Sequence, residues 1–218
     1  MKSLHEAIRP TAFIESEKLK KHLGVDLTVA SETFQHTGSF KFRAAYNLAL
    51  NVANEEILTA SSGNFGQALA YACQLTNKKC TVVMPETSAR VKIEDVRGYG
   101  ATVDLVDTNK IGRNERVAQL AEQMPDAYFA SAYDDLFVIE GNSTLGDELS
   151  AKNFDVVVSP IGGGGLISGI AKGLRRNSRR AALTGAEPLL GNDASQSLKA
   201  GEIVRNAVEP MTIADGAR

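Results

Sequence analysis

Residues 55–85 read EEILTASSGNFGQALAYACQLTNKKCTVVMP, and their pattern indicates the fold class. Two short β-rich runs, EEILTA and CTVVMP, flank a longer helical pattern, GQALAYACQL. Two strands that are joined by a helix of this length form a βαβ unit, in which the strands are parallel. A loop of small residues, SSGNFG at positions 61–66, separates the first strand from the helix.

The same alternation of strand and helix patterns extends along most of the remaining chain. The further segments are SARVKIEDVRGYG, TVDLVD, RNERVAQLAEQM, AYFAS, STLGDELSAK, FDVVVSP, LISGIAKGLRR and RAALTGAEP. This order predicts an α/β fold, with parallel sheets that are covered by helices on both faces. After Pro188 the pattern weakens to one short helix and irregular chain.

Composition and charge narrow the class of partner. The chain has 218 residues, with 24 Lys and Arg against 26 Asp and Glu, and this near balance argues against nucleic acid or an anionic membrane as a partner. No stretch resembles a signal peptide or a transmembrane helix, so we expect a cytoplasmic protein with a small-molecule partner. Cys73 and Cys80 are predicted to be buried thiols, and His5, His22 and His36 do not form a metal-binding motif.

A glycine-rich loop follows the apolar strand FDVVVSP. Four glycines at positions 162–165 lead directly from this strand into a helix. Backbone N–H groups of glycines can approach an anion closely, and a helix N-terminus adds partial positive charge, so the loop is predicted to bind phosphate. A dinucleotide fingerprint with Glu187 as ribose ligand fails, because its third glycine position falls on Ile167 or Ser168. The sequence does not match the P-loop motif either, and a flexible turn without a ligand is the remaining alternative.

The loop SSGNFG at positions 61–66 has two interpretations. Its hydroxyls, its side-chain amide and the free N–H groups of a helix start suit a carboxylate or another small anion. Alternatively, Ser62 or Asn64 is an ordinary N-cap that only stabilises the helix.

A lysine lies in an unfavourable place in the segment HTGSFKFRAA, residues 36–45. Lys41 is predicted in the first turn of a helix, where the helix dipole disfavours a positive charge. Taken alone, it is a solvated lysine. Together with a phosphate site and a carboxylate site, however, its amine suits a Schiff base with a phosphorylated aldehyde, and pyridoxal phosphate is the cofactor that fits.

Four ordered motifs, GSFKFRAA, SSGNFGQALA, PIGGGGLISG and GAEP, give the chain a family resemblance. They resemble motifs of the pyridoxal-phosphate-dependent serine/threonine dehydratase and serine racemase family, which has the fold type II architecture (tryptophan synthase β-like). The likeness extends over roughly residues 11–216. The tetraglycine favours this branch over cysteine synthases, which have a threonine- and glycine-rich phosphate loop.

The resemblance implies a role for each matching residue. Lys41 would hold the cofactor as a Schiff base and act as the catalytic base, and Ser62 would be the second proton carrier that racemases use. Phe40 would pack on the ring, and Asn64 would hydrogen-bond the ring hydroxyl. The phosphate would be bound by Gly162, Gly163, Gly164, Gly165 and Leu166. The substrate carboxylate would be bound by Ser61, Ser62, Gly63 and Phe65.

A divalent cation is a further implication of the resemblance. Glu187, Gly191 and Asp193 match the place where some family members bind a cation, and oxygen ligands at this spacing suit Mg²⁺ or Ca²⁺. A solvated loop is the alternative. Phe65 is a departure, because many family members have a histidine there, and this places the substrate preference in question.

The resemblance also implies an organisation in domains. A large cofactor-binding domain would comprise residues 1–50 and 140–218, a small substrate-loop domain would comprise residues 51–139, and the assembly would be a homodimer. Family members continue through a segment that contacts the pyridine nitrogen, so we expect a C-terminally truncated relative with an incomplete large domain. The expected activity is elimination from serine or threonine to a 2-oxo acid and ammonia; the alternatives are an amino-acid racemase or a truncated, non-catalytic relative.

Overall fold

The computed structural model describes residues 1–206, 211–214 and 216, and it divides into two compact units. The first unit is Met1–Ser131 and the second is Ala132–Arg218. Residues 207–210, 215, 217 and 218, which belong to the predicted large domain, lie outside the described residues. The predicted grouping of residues 1–50 with residues 140–218 stays a prediction.

The first unit alternates helices and strands from its third helix onward. Its helices are α1 (Leu4–Ala7), α2 (Glu17–Leu23), α3 (Lys41–Asn51), α4 (Asn64–Thr76), α5 (Arg90–Gly98) and α6 (Arg113–Gln123). Its strands are β1 (Ala12–Glu15), β2 (Thr28–Ser31), β3 (Glu56–Ala60), β4 (Lys79–Pro85), β5 (Thr102–Val106) and β6 (Tyr128–Phe129).

A four-stranded parallel sheet forms the centre of the first unit. The strand order is β5-β4-β3-β6, and the register pairs Ile57 with Cys80 and Val82 with Val103. Because every pairing is parallel, the carboxyl ends of the strands lie at one edge, where the following loops and helices begin. The predicted α/β fold class is confirmed.

Apolar side chains from strands and helices form the core of this unit. One cluster joins the sheet to α6 through Leu58, Val83, Val106, Val117 and Leu120. Burial of large aliphatic side chains contributes on the order of 1.5–3 kcal/mol each, so this cluster fixes α6 on the sheet. In the helix α4 and the strand β4, Cys73 and Cys80 are buried and form no disulfide, as expected.

A two-stranded antiparallel sheet of β1 and β2, with α2 in the connection between them, was not predicted from the sequence. A buried ion pair ties this N-terminal sheet to α3, because the fully buried Arg43 donates from Nε and Nη2 to the two carboxylate oxygens of Glu32. The same guanidinium donates to the Thr11 hydroxyl at 3.0 Å and to the Arg9 carbonyl at 3.3 Å. Planar bidentate pairing of this kind fixes geometry as well as charge.

The second unit is built on a short parallel sheet and two packed helices. Its elements are α7 (Leu136–Ser150), β7 (Val156–Pro160), α8 (Gly165–Arg176), β8 (Ala182–Ala186) and α9 (Asp193–Ala200). Strands β7 and β8 pair in parallel, with Val157 opposite Leu183. Helices α7 and α8 are joined by Arg176, which forms ion pairs with Glu140 and Asp147. Of the helices that the structure describes, none has the length and apolar character needed to cross a membrane.

The buried Arg43–Glu32 pair allows a test of what holds the N-terminal sheet to α3. Glu32→Gln removes one charge opposite a fully buried guanidinium and should lower the free energy of unfolding by about 3 kcal/mol. The matched control is Glu94→Gln, which breaks the exposed pair of Glu94 with Arg90, whose side chains are 56% and 91% exposed. Its cost should stay below about 0.5 kcal/mol. Urea denaturation measures both, and equal effects would contradict the assigned role of the buried pair.

Candidate active site

The loop after β3 begins with a serine that organises its backbone. Ser61 Oγ accepts hydrogen bonds from the N–H groups of Gly63, at 3.4 Å, and of Gly66, at 3.0 Å. Helix α4 starts directly afterwards at Asn64, and neither Ser62 nor Asn64 caps it with a side chain. Ser61 therefore takes the role that the capping interpretation gave to Ser62 or Asn64.

This arrangement leaves a set of backbone donors available. Among the described residues, the N–H groups of Ser62, Asn64 and Phe65 have no acceptor. The first N–H groups of a helix have no intrahelical acceptor and attract anions. The loop at positions 61–66, which is predicted to bind a carboxylate, thus has backbone donors for it, even though Phe65 supplies no polar side chain.

Lys41 is the first residue of α3, as the sequence predicts, and its amine lies beside two aromatic rings. Nζ is 5.0 Å from the ring centroid of Phe40 and 5.8 Å from that of Phe65. Burial lowers the pKa of the Lys41 amine from 10.5 to about 8, because an apolar environment disfavours the charged form. Phe65 belongs to the carboxylate loop, so the first unit brings Lys41, Phe40 and this loop together.

Ser39, two residues before Lys41, carries a buried hydroxyl with no partner within the described part of the chain. Asn64 is exposed, and its side-chain amide likewise has no partner among the described residues. An unsatisfied polar group at a buried position is costly, so such groups point to a ligand or water. The buried Ser39 hydroxyl therefore fits a polar ligand near Lys41, whereas the exposed Asn64 amide is open to solvent.

The glycine loop lies in the second unit, between β7 and α8. The Ile161 N–H donates to the Ala186 carbonyl at 2.8 Å, and α8 starts at Gly165 without a side-chain cap. Gly164 has a φ of 85°, which favours glycine, and a Cβ on Gly163 would overlap the ring of Tyr133. Only glycine fits these two positions.

Six consecutive N–H groups in this loop, those of residues 162–167, have no acceptor within the described ranges. Asn142 on α7 donates to the Gly165 carbonyl at 3.1 Å and holds the start of α8 in place. A row of free backbone donors at a helix N-terminus is suited to a phosphate group. The predicted residues Gly162, Gly163, Gly164, Gly165 and Leu166 all lie in it.

The predicted cation ligands Glu187, Gly191 and Asp193 lie between the end of β8 and the first residue of α9, and both carboxylates accept hydrogen bonds. The Glu187 carboxylate accepts from the N–H groups of Ala194, at 3.1 Å, and Ser195, at 2.8 Å. Asp193 Oδ1 accepts from the Asn206 side chain at 3.1 Å. In the described part of the chain, no group of three or more His, Cys, Asp or Glu residues could hold a metal ion. The cation site stays a prediction.

Three supporting residues were not among the predicted site residues. Tyr133 and Asn142 fix the glycine loop, and neither belongs to a recognisable motif. Arg113, at the start of α6, donates from Nη1 to Ser62 Oγ at 3.4 Å. It lies 51 residues from Ser62 in the sequence, so this contact depends on the packing of α6.

Comparison with known proteins gives concordant results. The family model "Pyridoxal-phosphate dependent enzyme" matches residues 4–218. Serine racemase of Dictyostelium discoideum is 38% identical, over 99% of this chain and 68% of the relative, and L-threo-3-hydroxyaspartate ammonia-lyase of Saccharomyces cerevisiae is 36% identical, over 99% and 67%. The solved structure of maize serine racemase superposes with a TM-score of 0.92 at 29% identity, covering 99% of this chain and 67% of that one.

The lowered pKa of Lys41 predicts its reactivity as a function of pH. A neutral amine reacts with acetic anhydride and an ammonium does not, so labelling of Lys41 should reach half its maximum near pH 8. Competitive labelling between pH 6 and 11, read by peptide mass spectrometry, measures the midpoint. In urea, where the folded environment is lost, the labelling midpoint of the same lysine should rise to about pH 10.5. A midpoint near 10.5 in the folded protein would contradict the desolvated environment.

Proposed function

The chain belongs to the pyridoxal-phosphate-dependent enzymes, and on that premise we propose that it is a serine/threonine dehydratase. Such a lyase removes the β-hydroxyl and the amino group of a hydroxy amino acid and yields a 2-oxo acid and ammonia. The observation that carries the proposal is the desolvated amine of Lys41 beside the free N–H donors of the substrate loop.

The residues that would hold the cofactor are present and suited to it. Lys41 offers an amine, the glycine loop offers free N–H groups to the phosphate, and Phe40 and Asn64 offer an aromatic face and an unpartnered amide. Pyridoxal phosphate, when bound, supplies an aldehyde that reacts with amines and a ring that withdraws electrons from a substrate's Cα–H bond.

Binding of the substrate carboxylate is assigned to the loop at positions 61–66. The N–H groups of Ser62, Asn64 and Phe65 donate to it, and Ser61 holds the loop in the conformation that presents them. Because the donors are fixed backbone groups, they need no rearrangement when the carboxylate arrives.

Lys41 is assigned the removal of the Cα proton. A base must be neutral to accept a proton, and with a pKa of about 8 a substantial part of the Lys41 amine is neutral near physiological pH. The rings of Phe40 and Phe65 keep the surroundings of Nζ apolar. The burial of Nζ therefore favours the neutral, reactive form of the amine.

Racemisation is a second candidate activity, and the Ser62 hydroxyl, which does not cap α4, favours it. Ser62 Oγ does not cap α4 and is contacted by Arg113, so it is available as a second proton carrier. The two activities would share one site and would differ in whether a proton returns to Cα or the β-hydroxyl leaves.

Other parts of the assignment remain proposals from the family resemblance. A homodimer and a cytoplasmic location are predictions, and so is a Mg²⁺ or Ca²⁺ site at Glu187, Gly191 and Asp193. The two carboxylate oxygens of Glu187 each accept one backbone N–H group, so a cation would share this carboxylate with the start of α9.

The assignment of Lys41 is tested by Lys41→Ala. Borohydride reduction of the wild type with pyridoxal phosphate should add the cofactor mass to the Lys41 peptide, and serine or threonine should yield a 2-oxo acid. Lys41→Ala should lose the covalent label and lower turnover by roughly 10²- to 10⁴-fold. The control Lys92→Ala, at an exposed lysine of α5, should retain both. Labelling without any 2-oxo acid in the wild type would favour the non-catalytic alternative, and labelling elsewhere would exclude the role of Lys41.

Ser62→Ala separates the two candidate activities. If Ser62 is the second proton carrier, racemisation should fall by roughly 10²- to 10⁴-fold while dehydration changes little. Ser61→Ala is the contrasting variant, because it removes the acceptor of two loop N–H groups and should lower both activities. Chiral chromatography of the amino acid and a 2-oxo acid assay give the two rates. A parallel fall of both rates in Ser62→Ala would refute a racemase-specific role.

A further inference from the structure

An open pocket lies in the second unit, at the amino ends of β7 and β8, whereas the glycine loop follows the carboxyl end of β7. Its volume is about 380 Å³. The buried side chains of Leu149 on α7, Val157 on β7 and Leu174 on α8 belong to its lining. Small-molecule sites have volumes of about 300–1,000 Å³ and apolar walls with a few polar groups. The pocket has the size and the apolar wall of such a site.

Cations line the same pocket. Lys152, Arg179 and Arg180 contribute to it, and within the described lining Asp155 is the one acidic residue. Positive charge is therefore in excess around an apolar wall. This combination favours a ligand that is itself part apolar and part anionic.

The cations of α8 differ in how their charges are used. Arg176 forms ion pairs with Glu140 and Asp147, and Lys172 forms one with Glu140. The Arg180 guanidinium, by contrast, has no acceptor and no ion-pair partner among the described residues. Its donors are available to a ligand in the pocket.

The turn that carries Arg180 is fixed against α7. The Arg179 N–H donates to the Leu174 carbonyl at 3.0 Å, and Arg179 Nε donates to the Ser150 carbonyl at 2.6 Å. Arg179 Nη1 also donates to Asn153 Oδ1 at 3.1 Å. These bonds hold the rim of the pocket before a ligand arrives, which lowers the entropic cost of binding.

We propose that this pocket binds a small organic anion that consists of an apolar body and a carboxylate or phosphate group. The body contacts the apolar wall, and the oxyanion accepts from Arg180, because a planar guanidinium can bind two oxygens at once. Three residues of strand, about 10 Å, separate Val157 from Pro160, and the glycine loop follows Pro160. The proposed site is therefore distinct from the phosphate loop, and it does not rest on the proposed function.

Calorimetric titration of the full chain, saturated with pyridoxal phosphate to occupy the glycine loop, tests the proposal. Phenylacetate and phenyl phosphate share a ring and differ in the oxyanion, so their affinities identify the preferred group. At least one of them should bind saturably. 2-Phenylethanol lacks the charge and acetate lacks the ring, and both should bind at least about 10-fold more weakly.

Arg180→Gln should weaken binding of the preferred anion by about 10-fold, the effect of losing a charge-assisted hydrogen bond. Arg175→Gln is the matched control, because Arg175 is an exposed arginine of α8 that does not line the pocket, and it should retain the affinity. Thermal melting checks that both variants are folded. In methyl NMR spectra, the anion should shift the signals of Leu149, Val157 and Leu174.

Four outcomes would overturn the proposal: no saturable binding of either anion, equal affinity in Arg180→Gln and the wild type, equal affinity for 2-phenylethanol, or methyl shifts confined to other residues. None of these outcomes bears on the dehydratase assignment, because the pocket shares no residue with Lys41 or the two loops. Turnover of serine by the wild type tests that assignment separately.

Discussion

Parallel strand pairing is the constraint on which both candidate binding loops depend. In the first unit, β3, β4 and β5 end at one edge of the sheet, and the loop before α4 starts there. In the second unit, β7 pairs in parallel with β8 and leads through the glycines into α8. A strand that passes directly into a helix presents N–H groups that have no intrahelical acceptor, and such groups bind anions. Ligand sites at the carboxyl ends of strands follow from this geometry.

Three cations in the first unit show how surroundings decide the use of a charge. Arg43 is fully buried and paired with Glu32, so its charge holds the N-terminal sheet to α3. Two residues before it, Lys41 lies beside aromatic rings, and burial lowers its pKa into the range of a useful base. Arg113, at the start of α6, donates to Ser62 Oγ. The groups around each of these three side chains thus decide what its charge does.

The βαβ segments from β3 to β8 could be predicted because their pattern is local. Short apolar runs, such as the strand Lys79–Pro85, alternate with amphipathic helical stretches, and the pattern is readable without knowledge of contacts. The N-terminal sheet has two strands of four residues, whose side chains are partly buried or exposed. Its pairing is supported by long-range hydrogen bonds from Arg43 to Thr11 and Glu32, which no local pattern reveals.

The sequence by itself determined that Lys41 begins a helix and that two loops, one of them glycine-rich, precede helix starts, because these features depend on residue type and short spacing. Only the tertiary structure decided that Ser61, rather than Ser62 or Asn64, organises the loop at positions 61–66. It also placed Arg113 beside Ser62. Arg113 follows β5 and Ser62 follows β3, and these two strands lie on either side of β4 in the sheet. The physical reason is that side-chain contacts between distant segments depend on how strands and helices pack, and packing is a property of the whole fold.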